Sequence, residues 1–285
     1  MKSIKKSRKI QTKFHVATFN TRTLQTDIHL MKFSDAIKEI KYDVIGLSEV
    51  KREDKEILET EKFVLCSKTN TRKRGSIGFA VKKKWKIELF KSYSDQVAVL
   101  LVKVNDQSFG FVQGYAPTSA SKDEEINDFY DQIHRAIKDV EKCKWVVVMG
   151  DWNAKIGQCD CDTDVMGRFG FGVRNERGEK LIQFVRSQKL FIVNSMFKKN
   201  EKRRATWSLG KANNEIDFLM IRNSQKDLVK DVNVINKLEY ESDHKMIRTP
   251  MKLDVKEKKI PRQFKPRLFI TNDQLKMKEF QKKLQ

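Results

Sequence analysis

The 285-residue sequence predicts an α/β sandwich. Three observations carry that expectation. Many short segments are rich in β-branched and aromatic residues, and a few longer ones repeat apolar residues at helical spacing. Only four Pro and twelve Gly occur, and no Pro/Gly/Ser linker interrupts residues 14–251, which read as one domain. With 39% hydrophobic residues and four Trp there is material for a core, so a wholly disordered chain is excluded although 34% of residues are charged.

In chain order, the first strand is expected over 14–19. A helix over 27–41 follows, with Leu30, Phe33, Ile37 and Ile40 on one stripe. Strands are expected over 43–47 and 76–81. Those over 97–104 and 108–115 flank Asn105-Asp-Gln107, a short polar connection that reads as a hairpin. The longest helix, 122–143, aligns Ile126, Phe129, Ile133, Ile137 and Val140, and Ser121-Lys-Asp-Glu124 matches a capping box in front of it. Trp145-Val-Val-Val-Met149 shows no alternation, so that strand is expected to be buried on both faces. A third helix over 177–188 carries Leu181, Phe184 and Val185, and strands over 190–194, 215–221 and 245–251 complete the set. Beyond Pro250 the periodicity weakens toward a linker or continuation.

Charge points to a partner. The formal net charge is +21, and an excess of that size suits a polyanion, nucleic acid before an anionic membrane surface. It is concentrated at the ends: residues 1–13 hold six Lys/Arg and no acid, residues 252–285 eleven against four. These read as basic arms on a domain spanning 14–251, and the first could also serve nuclear import. The longest apolar run, 97–102, is far below the ~18 residues of a membrane span. No apolar stretch follows the basic N-terminus, so no secretory signal is expected. Cys66, Cys143, Cys159 and Cys161 show no paired framework, and reduced thiols in a soluble intracellular protein are the expectation.

The chemistry sits where strands end. Asn20 follows the first strand, Glu49 ends the second, and Tyr115 ends 108–115. Asp151 and Asn153 follow the Val-rich strand, and Ser242-Asp243-His244 precedes the last. Any single Asp after a strand can be a turn or cap. Asp217 is harder to set aside, because it lies inside an apolar strand where an unpaired carboxylate costs several kcal/mol. It is a fitting partner for His244, since a carboxylate on one imidazole nitrogen fixes the tautomer and leaves the other for a phosphate. His15 and His134 read as structural or exposed, and His29 as unpartnered. Hard divalent cations need only a few such oxygen ligands.

Other chemistries find no motif. No Gly-x4-Gly-Lys-Ser/Thr, Gly-x-Ser-x-Gly or His-Glu-x-x-His occurs. Asp160-Cys-Asp162-Thr-Asp164 begins like a calcium loop, but Val165 and Phe171 stand where Gly and Glu are needed, so it reads as an acidic surface loop.

Six motifs in order carry a resemblance: Ala17-Thr-Phe-Asn20, Asp43-Val-Ile-Gly-Leu-Ser-Glu49, Gly114-Tyr115-Ala-Pro117, Met149-Gly-Asp151-Trp-Asn153, Glu215-Ile-Asp217-Phe218 and Ser242-Asp243-His244. Over residues 14–251 the chain resembles the endonuclease/exonuclease/phosphatase superfamily. Within it, the chain is similar to the apurinic-type endonuclease domain of non-LTR (LINE, RTE-like) retrotransposons and to craniofacial-development-protein-2-like sequences. The resemblance implies a four-layered α/β/β/α sandwich and Mg²⁺- or Mn²⁺-dependent hydrolysis of DNA phosphodiesters, leaving a 3′-hydroxyl. It implies Glu49, Asn20 and Asp243 at the metal, and Asp151 on the attacking water with Asn153. Tyr115 would face the phosphate, and His244, buttressed by Asp217, the transition state. Thr206 and Trp207 match a segment near DNA. Basic loops Arg72-Lys73-Arg74 and Lys198-Lys199 with Arg203-Arg204 are candidate DNA contacts or ordinary solvated charge. No other cofactor, no membrane, a monomer and a nuclear location are expected. A phosphatase of the same superfamily and a non-catalytic DNA-binding descendant are the alternatives. The segment before Asp217 departs from the family pattern, reading Asn213-Asn-Glu215 where relatives more often have Arg-Asn-Gln.

Overall fold

A computed structural model describes residues 9–53, 56–69, 76–104 and 107–256. The strands run β1 Lys9–Asn20, β2 Val44–Ser48, β3 Ile57–Glu59, β4 Phe63–Lys68, β5 Ile77–Lys82, β6 Lys86–Ser92, β7 Val97–Val104 and β8 Gln107–Tyr115. They continue as β9 Trp145–Asp151, β10 Leu190–Ile192, β11 Trp207–Leu209, β12 Ala212–Asn214, β13 Asp217–Arg222, β14 Asn233–Val234 and β15 Ile247–Lys256. The α-helices are α1 Asp27–Ala36, α2 Asp123–Asp139 and α3 Glu176–Ser187.

Two mixed sheets stack face to face, one of seven strands (β14-β15-β1-β2-β5-β4-β3) and one of six (β10-β13-β9-β8-β7-β6). Period-2 alternation explains the layers. Phe14 and Val16 of β1 point inward to meet Phe109, Phe111, Val147 and Leu219 of the opposite sheet. Ala17 and Phe19 point outward, under Phe33 and Ile37 at α1. On the far side Val146, Val148, Phe218 and Met220 lie under α2 and α3, against Phe129, Ile133, Leu181 and Val185. These are the four layers expected, and β9 is buried along its whole length. The β7–β8 hairpin also forms, with Val104 opposite Gln107.

Several local expectations are corrected. β1 and β15 pair from Lys9↔Lys256 to Thr18↔Ile247, so the sheet takes in residues assigned to the basic arms. Lys122 caps α2 without a side-chain bond, so Ser121-Lys-Asp-Glu124 is not a capping box there. A capping box instead opens α1, where the Thr26 side chain accepts from His29 N and His29 reciprocates, so His29 has a partner. α1 ends at Ala36, five residues before its expected end. β3, β4, β6, β11, β12 and β14 were not anticipated. Most are short or, like Lys86-Ile-Glu-Leu-Phe-Lys-Ser92, carry charge, as sheet-edge strands tend to; β4, Phe63-Val-Leu-Cys-Ser-Lys68, is neither and lies inside its sheet between β5 and β3.

Cys159 and Cys161 are joined in a disulfide, not reduced, while Cys66 and Cys143 are buried thiols. The acidic segment beside them is a surface loop, with Asp160, Thr163 and Asp164 exposed, although its middle carboxylate turns inward. Asp162 is 7% exposed and bonds Arg174 at 2.6 Å and Arg186 at 2.7 Å. Among the described residues, no helix is long and apolar enough to cross a membrane.

Candidate active site

The inward faces of the two sheets run out of apolar residues at one rim, and polar ones take over in the same register. Along β1 the inward series after Phe14 and Val16 continues with Thr18 and Asn20. Along β8 it ends with Gln113 and Tyr115, along β9 with Met149 and Asp151, and β13 begins it with Asp217. Tyr115 pairs with Asp151, and Asp151 with Asp217, so three strands deliver three polar groups in one row. Behind that row Gln113 crosses the sandwich to bond Thr18 and Ser48 at 3.1 Å each.

Glu49 reaches the same place by a different device. The alternation of β2 would turn it outward, but it adopts φ 55°, a left-handed conformation that L-residues avoid. Asn153, after β9, does the same at φ 46°. Such backbone costs ~1–3 kcal/mol and persists where surroundings enforce it, commonly at functional sites.

Hydrogen bonds join these groups into one network. Asn20 Nδ2 donates to Glu49 Oε1 and to Asp151 Oδ2, both at 3.0 Å. Asn20 Oδ1 is turned away to accept from Arg22 N. Asn20 therefore presents a donor to the two carboxylates. Glu49 Oε1 also accepts from the Tyr115 hydroxyl at 3.0 Å, and Oε2 from Lys51 Nζ at 2.7 Å. Asp151 Oδ1 accepts from Asn153 N, and Asn153 Nδ2 donates to Ala116 O at 2.8 Å. The His244 ring lies between two carboxylates, Nδ1 3.0 Å from Asp217 Oδ2 and Nε2 3.6 Å from Asp151 Oδ2.

Two further side chains fix His244 and Asp217. Ser242 Oγ donates to Asn20 O and accepts from His244 N, tying the approach to β15 onto the end of β1. Thr206 Oγ1 accepts from the amides of Ile216 and Asp217. Thr206 is fully buried, so it cannot touch DNA as expected and supports Asp217 instead. Trp207 is half-buried and donates its indole N–H to Asp243 Oδ2 at 2.9 Å.

The charge states follow from these contacts. Burial opposes ionisation of Glu49, but bonds from Lys51, Asn20 and Tyr115 hold its carboxyl below the ordinary range. Burial, with Glu49 beside it, pushes Tyr115 upward, so its hydroxyl keeps its proton and donates. Burial and the neighbouring Asp217 raise the Asp151 carboxyl. Burial works against a charged His244, yet Asp217 beside it overrides this and lifts its pKa to about 10. The ring is an imidazolium near neutrality.

The donor set suits a hard cation. Glu49 and Asp243 offer carboxylate oxygens, and the Lys51 ammonium on Glu49 Oε2 shows that a positive charge is accommodated there. Asp151, Asp217 and His244 also place one ligand atom each within 4.8 Å of one another, close enough to hold an ion. In this arrangement both ring nitrogens already face carboxylates, so the imidazolium supplies the positive charge.

The basic candidates separate. Lys198 and Arg203 are exposed. Lys199 forms an ion pair with Asp231 at 2.6 Å. Arg204 is 6% exposed and donates to the carbonyls of Phe197 and Lys199, an internal brace and not a DNA contact. Arg72, Lys73 and Arg74 lie outside the described residues. Asn194 and Glu215, both buried beside Asp217, were not anticipated; the one signal for Glu215 was its departure from the family pattern at an acid two residues before Asp217.

Residues 109–248 match the family described as Endonuclease-reverse transcriptase. The chain is 26% identical over 275 residues to craniofacial development protein 2 of Bos taurus, covering 94% of this chain and 45% of that protein. The Tragulus javanicus protein is 25% identical, covering 88% of this chain and 44% of its own length. The chain thus spans less than half of these relatives. Among solved structures, the endonuclease domain of TRAS1, a telomere-specific non-LTR retrotransposon, aligns with TM-score 0.61 at 13% identity, over 84% of this chain and 98% of that one. The AP endonuclease LMAP from Leishmania major aligns with TM-score 0.65 at 12% identity, over 85% and 88%. A 3′-5′ exonuclease from Neisseria meningitidis aligns with TM-score 0.65 at 13% identity, over 84% and 99%. The fold is the one these solved nucleases share, and the family match, over just under half of the chain, together with the relatives makes the chain similar to the endonuclease/exonuclease/phosphatase superfamily.

Proposed function

We propose that this protein is a metal-dependent DNA endonuclease that hydrolyses a phosphodiester and leaves a 3′-hydroxyl, the type of nick that serves retrotransposon target priming. The supporting observation is the joining of Glu49, Asn20, Asp151 and His244 into one network at the rim, with the imidazole and a carboxylate side by side. Phosphodiesters resist attack because their anionic oxygens repel nucleophiles, so catalysis needs positive charge and donors where charge builds up.

Each residue has a distinct task in that reading. The Asp151 carboxylate orients a water and takes its proton as the oxygen attacks phosphorus; burial, by raising its pKa, makes it a better base near neutrality. The Asn153 amide holds that carboxylate through its N–H. Protonated His244, kept so by Asp217, donates from Nε2 to a phosphoryl oxygen, and Tyr115 donates its hydroxyl to another. As the P–O3′ bond breaks, the departing oxygen takes a proton from solvent water and becomes the 3′-hydroxyl, while the attacking oxygen stays on the 5′-phosphate. Glu49 and Asp243 would hold Mg²⁺ or Mn²⁺, which when bound neutralises phosphate charge as a Lewis acid. Exposed Lys198, Arg203 and half-buried Trp207 lie on the segments leading to the site and would meet the DNA backbone. DNA as substrate implies a nuclear location.

The test is the chemistry of the ends. Supercoiled plasmid treated with the protein and Mg²⁺ is expected to become nicked circle whose ends a DNA polymerase extends directly. The His244→Ala variant is expected to lose ~10²–10³-fold in rate while retaining DNA affinity. Ends that accept nucleotides only after phosphatase treatment would contradict the assignment. DNA binding without turnover would favour the non-catalytic alternative, and release of phosphate from monoesters with no nicking would favour the phosphatase.

A further inference from the structure

A second polar unit lies behind the Asp217–His244 pair. β10 pairs with Met220, Ile221 and Arg222 and then stops, turning into the 3-10 segment Val193–Met196. That leaves the beginning of β13 without a backbone neighbour on this edge. The Asn194 side chain takes its place. Nδ2 donates to Asp217 O and Oδ1 accepts from Leu219 N, both at 3.0 Å, so the side-chain amide takes up the carbonyl and the amide that flank Phe218, as a residue of a neighbouring parallel strand would.

The same Nδ2 also donates to Glu215 Oε1 at 3.2 Å. A primary amide nitrogen carries two hydrogens, so both are used and the orientation of the Asn194 amide is determined by its partners. Glu215 in turn faces the Arg204 guanidinium at 3.9 Å, and Arg204 is braced on the carbonyls of Phe197 and Lys199. Arg204, Asn194 and Glu215 are buried. Arg204 Nη1, Glu215 Oε2 and Asp217 Oδ1 have no hydrogen-bond partner. A buried ion pair with unsatisfied atoms contributes poorly to stability, because desolvation offsets the attraction. Its use must lie in holding something in place.

We propose that Arg204, Glu215 and Asn194 form a positioning unit that fixes the Asp217 peptide, and with it the carboxylate that meets His244 Nδ1. Its catalytic consequence rests on the nuclease reading; its geometric consequence does not. Asp217 is held by Asp151 on one edge of its strand and by side chains alone on the other, Thr206 at its N–H and Asn194 at its carbonyl. Loss of Asn194 leaves that carbonyl free to swing, and the carboxylate with it. Misplacement by ~1 Å of a group that orients catalysis costs about 10²-fold. Glu215 serves here as an acceptor through Oε1. A neutral amide at this position supplies the same carbonyl acceptor.

The test compares Asn194→Ala, Glu215→Leu and Glu215→Gln with wild type, after circular dichroism and thermal unfolding confirm that each folds. The first readout is the downfield proton resonance of the His244 Nδ1···Asp217 bond, identified by its absence in His244→Ala. It is expected to shift or vanish in Asn194→Ala and Glu215→Leu and to return in Glu215→Gln. The second is plasmid nicking, expected to fall ~10–100-fold in the first two variants without loss of DNA affinity, and to be largely restored in Glu215→Gln. Combined with Asp217→Ala, Asn194→Ala is expected to add no further loss, as required of a residue acting through Asp217. An unmoved resonance in Asn194→Ala and Glu215→Leu overturns the proposal whether or not the wild type nicks DNA. If wild type fails to nick, the nuclease reading falls and the resonance still decides this one.

Discussion

Asp151 and His244 sit 3.6 Å apart with opposite demands on protons, and that separation sets the expected pH dependence. Burial raises the Asp151 pKa, so the base form is lost as pH falls through a value above the ordinary carboxylate range. His244 keeps its proton until about pH 10. Nicking should rise on the acid side with Asp151, hold through neutrality and fall near pH 10; in His244→Ala the alkaline limb should disappear from the residual rate. The sign is the same for stability. A histidine with a raised folded pKa contributes fully below its unfolded value of ~6.5 and loses the contribution as pH rises to about 10. Asp217 was legible in the sequence because an acid among Ile, Phe and Leu must have a partner. Thr206, Asn194 and Arg204 were not legible in their actual roles. A hydroxyl or amide that replaces a missing strand leaves no periodic trace, and in sequence Arg204 is indistinguishable from its exposed neighbour Arg203.

At the level of elements, the site depends on how strands end and how the next segment is held. β8 and β9 approach closely at Gly114 and Gly150, where a Cβ on Gly150, at φ 146°, would fall 1.9 Å from the Gly114 carbonyl oxygen. Gly150→Ala is therefore expected to destabilise the fold by about 2–4 kcal/mol in urea unfolding and to displace the adjacent Asp151. Asn175 Oδ1 accepts from Gly178 N, capping α3, and from Lys155 N in the segment after the site, both at 2.9 Å. Asn175→Ala should cost ~1–2 kcal/mol in the same measurement. The central strands and all three helices were visible because long apolar periodicity overrides local noise. β3, β6 and β14 were hidden, since edge strands are short and carry charge. The boundaries of β1 and β15 were hidden for another reason: Lys9–Lys13 look like a tail until Lys252–Lys256 are known to pair with them.

For the whole molecule, two sheets with helices outside present one polar rim, while a net charge of +21 is spread over a body whose acids are often internally paired. DNA affinity should then fall steeply with salt, with log K against log salt sloping about −4 to −5 if ~5 phosphates are neutralised. Charge reversal at exposed Lys198, Lys202 and Arg203 should flatten that slope by roughly one unit for each lost contact, leaving the network of Asp151 and His244 intact. Measuring affinity for one duplex at several salt concentrations, wild type beside the variants, decides it; an unchanged slope would place the DNA elsewhere. The central claim is that Asp151 activates the water that cuts the strand. Its most direct test titrates Mg²⁺ into supercoiled plasmid with wild type and Asp151→Asn side by side. Wild type should convert the plasmid to nicked circle as the metal rises, while D151N binds the DNA and leaves it closed; nicking by D151N at the wild-type rate would contradict the account.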